Sequence, residues 1–383
     1  MKRCTYHLIG IGGIGMSGLA RIALQKGDVV SGSDVNMSPV LQSLSDSGAK
    51  IFIGHDETHL PEETATVVYS TDIAPTNPEM QEATRRGYPL LHRSMFLKEL
   101  MEGSFPLLVT GTHGKTTTSS LLAHMLYFLK EDPSYSVGGI IQNLESNGSF
   151  GSGKWFVAEA DESDRSFLAY TPHGGILTNI GLDHLNYWHS EENLLQGFFD
   201  FYKKTENKDL LFWCADDARL SSLKLEGHSY GFSDKADLKI EKVLYLGWQT
   251  FFTFRFKGKE YKDVESPLIG AHNVLNAAAV FGLCLQIGLE ELAIREALKQ
   301  FQGAKRRMEK KGEAQSITVY DDYGHHPTEI STTLDAVKQA SKGRRIVVAF
   351  QPHRFSRVKD CFEEFAPALR KADLIVLTDI YSA

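Results

Sequence analysis

Cysteine is scarce: Cys4, Cys214, Cys284 and Cys361 are the only four in 383 residues, and no two form a Cys-x-x-Cys pair. That excludes a disulfide framework and a thiolate zinc site, and suits the reduced, mostly buried thiols of a cytoplasmic protein. Long hydrophobic runs are missing too. No stretch of 18 or more apolar residues occurs, so no insertion into a membrane is expected. Nor is there a dense basic cluster. Lys and Arg number 41 against 48 Asp and Glu, a net charge of -7, which speaks against a nucleic-acid partner. The apolar N-terminal run is broken by glycines and reads as part of a fold, not as a leader. What is present, 42% hydrophobic and 23% charged residues, is ordinary globular composition, and the length suggests two or three domains.

The chain is organised around residues 107–129, LLVTGTHGKTTTSSLLAHMLYFL. Leu107-Leu108-Val109 has the character of a buried parallel strand. A turn with Gly111 and Gly114 follows. Leu121, Leu122, Met125, Leu126 and Leu129 then recur at helical spacing. Strand, glycine turn and helix N-terminus make an anion site, because free N–H groups and the positive end of the helix dipole point at one place. Lys115 suits β- and γ-phosphates and Thr116 suits Mg²⁺. Only two residues separate the glycines, where the standard phosphate loop has four. A glycine turn that merely starts a helix is the blander reading, and the flanks in register favour an ATP site.

Residues 1–104 alternate strand and helix. A strand at 6–9 runs into Gly10-x-Gly12-x-x-Gly15, a helix is expected over 16–25, and a second strand at 29–34 ends in Asp34. Asp34 lies 19 residues past Gly15, the spacing at which a Rossmann unit meets ribose hydroxyls. Alone this suggests a dehydrogenase, but the same cradle accepts any nucleotide diphosphate.

In residues 105–307 the strand Trp155–Ala158 runs into Glu159-Ala160-Asp161-Glu162-Ser163-Asp164. Carboxylates at the carboxyl end of a parallel strand face the ligand crevice and are natural Mg²⁺ ligands. Glu162 and Asp164 individually read as a solvated acidic turn. A further strand at 175–180 delivers Asp183 and His184 to the same edge. The aromatic stretch 238–256 reads as a hairpin packed on the sheet, with no assigned chemistry. Asn273 and Asn276 open an Ala-rich helix, as caps or against an adenine edge. Residues 308–383 start afresh, with strands near Tyr320, Val348 and Val376 that each end in polar groups. No helix follows the third, so this domain is expected to be partial and the chain not self-sufficient for ligation.

GIGGIGMSG, GTHGKTTT, EADESD, NIGLDH, GAHNVLNAAA, DDYGHHPTE and FQPHR occur in the order found in Mur ligases, and the set resembles that family over nearly the whole chain. The resemblance implies an α/β chain of three domains. Residues 1–104 form a Rossmann-like UDP-sugar domain, 105–307 a phosphate-loop ATP domain on a parallel sheet, and 308–383 a truncated Rossmann-like amino-acid domain. It implies ATP- and Mg²⁺-dependent ligation of L-alanine to the carboxylate of UDP-N-acetylmuramate through an acyl phosphate, in peptidoglycan synthesis. By the resemblance Gly10, Gly12, Gly13, Ile14, Gly15, Asp34, Ser70 and Thr71 hold the UDP-sugar. Gly111, Thr112, His113, Gly114, Lys115, Thr116 and Thr117 hold ATP phosphates, with Asn273, Asn276, Arg307 and Asp322 on the nucleotide. Thr116, Glu159 and His184 hold the metal. His325, His353, Arg354 and Arg357 face the reacting end; Lys115, Glu159, His184, His325 and Arg354 are catalytic, His325 as the base. Some family members are fused to D-alanine–D-alanine ligase, so fusion or association with it is open. Three positions depart from the family pattern: Arg93-Ser94-Met95-Phe96-Leu97, Ser146-Asn147-Gly148, and Arg165. The competing readings are a ligase that recycles murein tripeptide, a Rossmann dehydrogenase, and a nucleotide-binding regulator built on an inactive ligase.

Overall fold

Short apolar strands alternating with helices build a first parallel sheet. In the computed structural model, which describes residues 3–183 and 185–381, its strands run in the order Lys50–Ile53, Val29–Asp34, Thr5–Ile9, Thr66–Tyr69 and Leu90–His92, every neighbour parallel. The order reverses at Thr5–Ile9, so the crevice of this doubly wound sheet opens beyond that strand's carboxyl end, at the Gly10–Gly15 turn. The helix that follows is Ile14–Gln25, starting two residues before the periodicity suggests, because the turn passes straight into it.

The second sheet has ten strands in the order Lys259–Ser266, Gln249–Phe256, Leu238–Leu246, His228–Gly231, Leu211–Cys214, Gly174–Leu177, Phe105–Thr110, Trp155–Glu159, Ser134–Ile141 and Ser146–Ser149. From His228–Gly231 to Ser134–Ile141 all pairs are parallel, and the inner strands are apolar on both faces. Helix Lys115–Phe128 starts with three threonines, each costing up to about 0.7 kcal/mol in propensity. Burial of Leu121, Leu122, Met125 and Leu126, about 1.5–3 kcal/mol apiece, decides the outcome. The aromatic stretch is a hairpin, as its pattern suggests. It does not pack on a face of the sheet: its first strand joins the edge parallel to His228–Gly231, and the second strand and Lys259–Ser266 continue it antiparallel.

The first two sheets share one continuous core running from Leu8 to Phe301. Helix Ile14–Gln25 packs on Ser134–Ile141 and Ser146–Ser149 across the boundary. The approach is backbone on backbone: a Cβ on Gly148 would stand 2.6 Å from the Gly18 carbonyl oxygen. Beside it the Asn147 amide donates to the Ile14 carbonyl and to Ser17 Oγ. The departure at Ser146-Asn147-Gly148 is therefore the seam between two domains. Gly148→Ala is expected to cost about 1–3 kcal/mol of stability through overlap. Thermal denaturation checks this, and an unchanged melting temperature would refute the close approach.

The third region differs from the expected sheet. Ile317–Asp321 pairs antiparallel with Glu309–Ala314, while Val347–Phe350 pairs parallel with Leu374–Leu377 in a separate ribbon. Gln315 and Ser316 both have positive φ, 49° and 64°, the primed turn that folds a strand back on its predecessor. EKKGEA carries no apolar alternation, so that first strand is invisible in the sequence. A small core of Ile330, Leu334, Ile346, Phe350, Phe365, Ala368 and Leu369 holds the region, and all four residues of Leu374–Leu377 are exposed. Among the described residues no helix is long and apolar enough to cross a membrane.

Candidate active site

The phosphate loop is held from the next strand over. Asn179 accepts from the Thr112 N–H through its carbonyl (3.0 Å) and from the His113 N–H through Oδ1 (2.9 Å), and its amide donates to the His113 carbonyl (2.9 Å). Gly111 (φ +136°) and Gly114 (φ +85°) occupy backbone conformations that side chains resist, and a Cβ on Gly111 would meet Thr178 Oγ1 at 2.1 Å.

Lys115 Nζ donates to Glu162 Oε2 at 2.7 Å, the Gly111 carbonyl at 2.7 Å and the Thr112 carbonyl at 3.2 Å. Burial pulls its pKa down, but Glu162, Asp161 and Glu159 outweigh burial and hold it above the usual lysine range. The lysine is therefore a fixed cation. Glu162 is not the solvated acid the sequence suggests: its side chain is 2% exposed, and Oε1 is buried without a hydrogen-bond partner. Glu159 accepts from the Gly138 N–H (2.6 Å), Ser119 Oγ (3.0 Å) and Thr116 Oγ1 (3.4 Å). Arg307 reaches Thr116 Oγ1 at 3.5 Å from beyond the helices.

A cavity of about 850 Å³ opens beside the loop, lined by His113, Gly114, Thr117, Asn273, Asn276, Arg307 and Asp322. Seven of the residues assigned to ATP thus surround one space. Asp322 differs from the expected role as a nucleotide contact. Its two oxygens accept from the Met308 N–H (2.9 Å) and the Gly324 N–H (2.8 Å), tying the hinge to the third region. His272 also lines the cavity, and burial lowers its pKa to about 4, so it is neutral.

At the N-terminal cradle, Asp34 Oδ2 accepts from the Gly12 N–H at 2.8 Å and Oδ1 from the Val35 N–H at 2.8 Å. The carboxylate that spacing assigns to a ribose is engaged in shaping its own turn. Arg93 Nη1 lies 3.3 Å from where a Gly15 Cβ would be, and Arg93 Nη2 reaches Asp161 (3.5 Å) and Asp164 (3.6 Å). Thr71 Oγ1 donates to Asp164 Oδ2 at 3.1 Å, so cradle and acidic turn meet. Ser70 lies beside it at the end of the fourth strand, and Gly10, Gly13 and Ile14 complete the turn.

The third region brings His325 and His353 within 6.0 Å, ring to ring. Burial pushes the His325 imidazole down, so it is neutral at neutral pH, as a base must be. Arg357 Nη1 donates to His353 Nδ1 at 3.2 Å. Arg354, exposed and with φ +67°, caps the following helix. His113 stands between Asp183 (3.8 Å) and Glu329 (3.6 Å), and His326 faces Asp183 at 3.5 Å. The ligand atoms of His113, Asp183 and His326 lie within 4.8 Å of one another. However, the Thr328 N–H donates to His326 Nδ1, which leaves the ring proton on Nε2, the atom that faces Asp183. His184, assigned to the metal, lies outside the described residues. Sequence reasoning missed the Lys115–Glu162 pair, Arg93 at the domain seam, and Asn179; acid density after Ala158 was the one available signal.

Three family models match in succession: the Mur ligase family catalytic domain over residues 5–105, the Mur ligase middle domain over 109–284, and the Mur ligase glutamate ligase domain over 306–382. The chain belongs to the Mur ligase family. Among its relatives, the UDP-N-acetylmuramate–L-alanine ligase of Protochlamydia amoebophila is 47% identical over 100% of this chain and 84% of its own length. The bifunctional enzyme MurC/Ddl of Chlamydia pneumoniae is 46% identical over 99% of this chain, which spans 46% of that relative. The solved UDP-N-acetylmuramate–alanine ligase of Thermotoga maritima is 31% identical, with a TM-score of 0.89 over 98% of this Mur ligase and 85% of that chain. The sequence-based fold, three α/β domains of a Mur ligase, is thereby borne out, and the oxidoreductase reading of the first domain falls.

Proposed function

We propose that this Mur ligase joins L-alanine to the carboxylate of UDP-N-acetylmuramate, converting ATP to ADP and phosphate, as a cytoplasmic step of peptidoglycan precursor synthesis. The carrying observation is Lys115, a cation fixed at the phosphate loop, whose neighbours His113, Gly114 and Thr117 line the 850 Å³ cavity. The relatives' names supply the substrates. In this reading residues 1–104 hold the UDP-sugar, 105–307 ATP and 308–383 the amino acid. Fusion to, or association with, D-alanine–D-alanine ligase belongs to the proposal, supported by the bifunctional relative.

The donors fit Mg²⁺. Thr116 Oγ1 and the Glu159 carboxylate stand 3.4 Å apart and Glu162 Oε1 is unpartnered, all hard oxygens. Thr116 and Glu159 would hold the ion, with His184 included on sequence grounds alone. When bound, it neutralises charge on phosphate oxygens. The substrate carboxylate attacks the γ-phosphate to give an acyl phosphate, and Lys115 stabilises the charge on the transferring group. Helix Lys115–Phe128 turns its free N–H groups to the same phosphates. The L-alanine amine then attacks the acyl carbon and phosphate leaves. His325, neutral and beside His353, takes the amine proton, while Arg354 and Arg357 supply positive charge for the amino-acid carboxylate.

Phosphate release is expected only with UDP-N-acetylmuramate, ATP and an amino acid together, with L-alanine preferred over L-serine and glycine. Calorimetry is expected to show UDP-N-acetylmuramate binding more tightly than NAD⁺. The opposite order would overturn the reading.

A further inference from the structure

Where the third region meets the second, the Trp248 ring stacks on Tyr320 with centroids 4.3 Å apart. Further along the chain a carboxylate reaches the phosphate loop itself. Glu329 stands in the first turn of helix Pro327–Ala340 and forms a capping box with His326. Such a box asks of the carboxylate only the N–H of the capping residue. Glu329 does more. Its Oε2 accepts from the His326 N–H at 3.3 Å and also from the His325 N–H at 3.1 Å, while Oε1 lies 3.6 Å from His113 Nδ1. One oxygen serves the loop that carries the base, and the other faces the loop that carries Lys115. Glu329 and His113 both border the cavity. Burial pushes the Glu329 carboxyl up, but contacts with His113 and His325 outweigh it and hold the pKa well below the usual carboxylate range. The group is ionised.

The His325 ring is oriented separately. Its Nδ1 stands 3.0 Å from the Tyr323 carbonyl, which can only accept, so the ring proton is on Nδ1 and Nε2 is the basic nitrogen. Glu329 Oε2 is 3.8 Å from that Nδ1, outside hydrogen-bond reach. Its hold on the base runs through the backbone.

We propose that Glu329 is the positioning residue of the amine-attack step: by tying the backbone of His325 to the phosphate loop, it sets the distance from the base to the acyl phosphate. The inference rests on the ligation proposed above. In that step the acyl carbon–oxygen bond breaks and its electron pair leaves with phosphate. The alanine nitrogen bonds to the carbon, and its proton passes to His325 Nε2. Displacing a reacting group by about 1 Å costs on the order of a hundredfold. Formation of the acyl phosphate involves no amine and is untouched.

Hydroxylamine separates the two steps, because it is already unprotonated at neutral pH and attacks an acyl phosphate without a base, giving a hydroxamate and phosphate. With UDP-N-acetylmuramate, ATP and L-alanine, Glu329→Ala is expected to release phosphate about a hundredfold more slowly than the unaltered protein. With hydroxylamine in place of L-alanine, hydroxamate formation is expected to stay within about threefold. That retained reaction also shows the variant to be folded. Glu329→Gln keeps an oxygen for the two N–H groups and an amide for His113, and is expected to restore most of the L-alanine rate. Equal loss with both amines would make Glu329 a cap alone and overturn the proposal. So would an undiminished L-alanine rate in Glu329→Ala. Unaltered protein that forms no hydroxamate would instead overturn the ligase reading itself.

Discussion

Lys115→Ala is expected to lower turnover by about a hundred- to thousandfold, the effect of removing one preorganised contact worth roughly 3–4 kcal/mol to a charged transition state. It also has a second consequence. Glu162, with a side chain only 2% exposed, would lose its cation. Breaking a buried pair from one side costs about 3–5 kcal/mol of stability. The two effects separate in a cycle. Lys115→Ala combined with Glu162→Gln is expected to recover most of the lost melting temperature and none of the lost rate. Single-turnover phosphate release and thermal denaturation on the four proteins check this, and near-normal turnover in Lys115→Ala would mean that the nucleotide lies elsewhere.

The second large effect lies far from the phosphates. Glu79 is completely buried in the first domain. It accepts from Ser33 Oγ at 2.7 Å and the Asp56 N–H at 3.3 Å, and it pairs with His7 Nε2 at 2.8 Å and His55 Nδ1 at 3.2 Å. Burial alone would raise its pKa. Bonds from His7, Ser33 and His55 outweigh it and hold the carboxyl below the ordinary value of 4.5. A depressed folded pKa means that the unfolded chain binds the proton more readily. The contribution is therefore present above pH 4.5 and is lost as pH falls toward the folded value. Glu79→Ala is expected to cost about 3–5 kcal/mol at neutral pH, since it strands His7 and Ser33 in the core. For Glu79→Gln, the melting-temperature deficit is expected to be largest near neutrality and to shrink on acidification. A deficit constant from neutral pH down to strongly acidic conditions would contradict the assignment.

The parts legible in the sequence are those whose signal is local. Strand, glycine turn and helix around Lys115 occupy one short stretch, and the apolar runs at 107–109 and 155–158 can only be buried parallel strands. What was hidden depends on partners distant in the chain. Glu162 looks solvated until Lys115 and Trp188 close over it: the Trp188 indole N–H donates to the Glu162 carbonyl at 3.0 Å. Asp34 keeps the spacing of a ribose ligand while its oxygens go to Gly12 and Val35. Glu309–Ala314 has no apolar alternation, and the left-handed pair Gln315-Ser316 folds it against Ile317–Asp321. Trp248 sits at a hairpin tip, where pattern predicts a turn but not what the turn touches.

The core running from Leu8 to Phe301 separates the units of sequence from the units of cohesion. Family models divide the chain near residue 105, yet a fragment cut there would bare the underside of Ile14–Gln25 on one piece and the sheet edge at Ser146–Ser149 on the other. Those two pieces would be sticky halves, not modules. The seam at residues 303–308 is smaller: beyond it lies a separate core, joined back through a ring stack, an ion pair and an apolar cluster of Ile269, Ala336 and Ala340. Swapping the first domain between relatives would therefore require carrying Asn147 and Gly148 along with it, whereas exchange of the third domain would have to preserve only the small cluster of Ile269, Ala336 and Ala340.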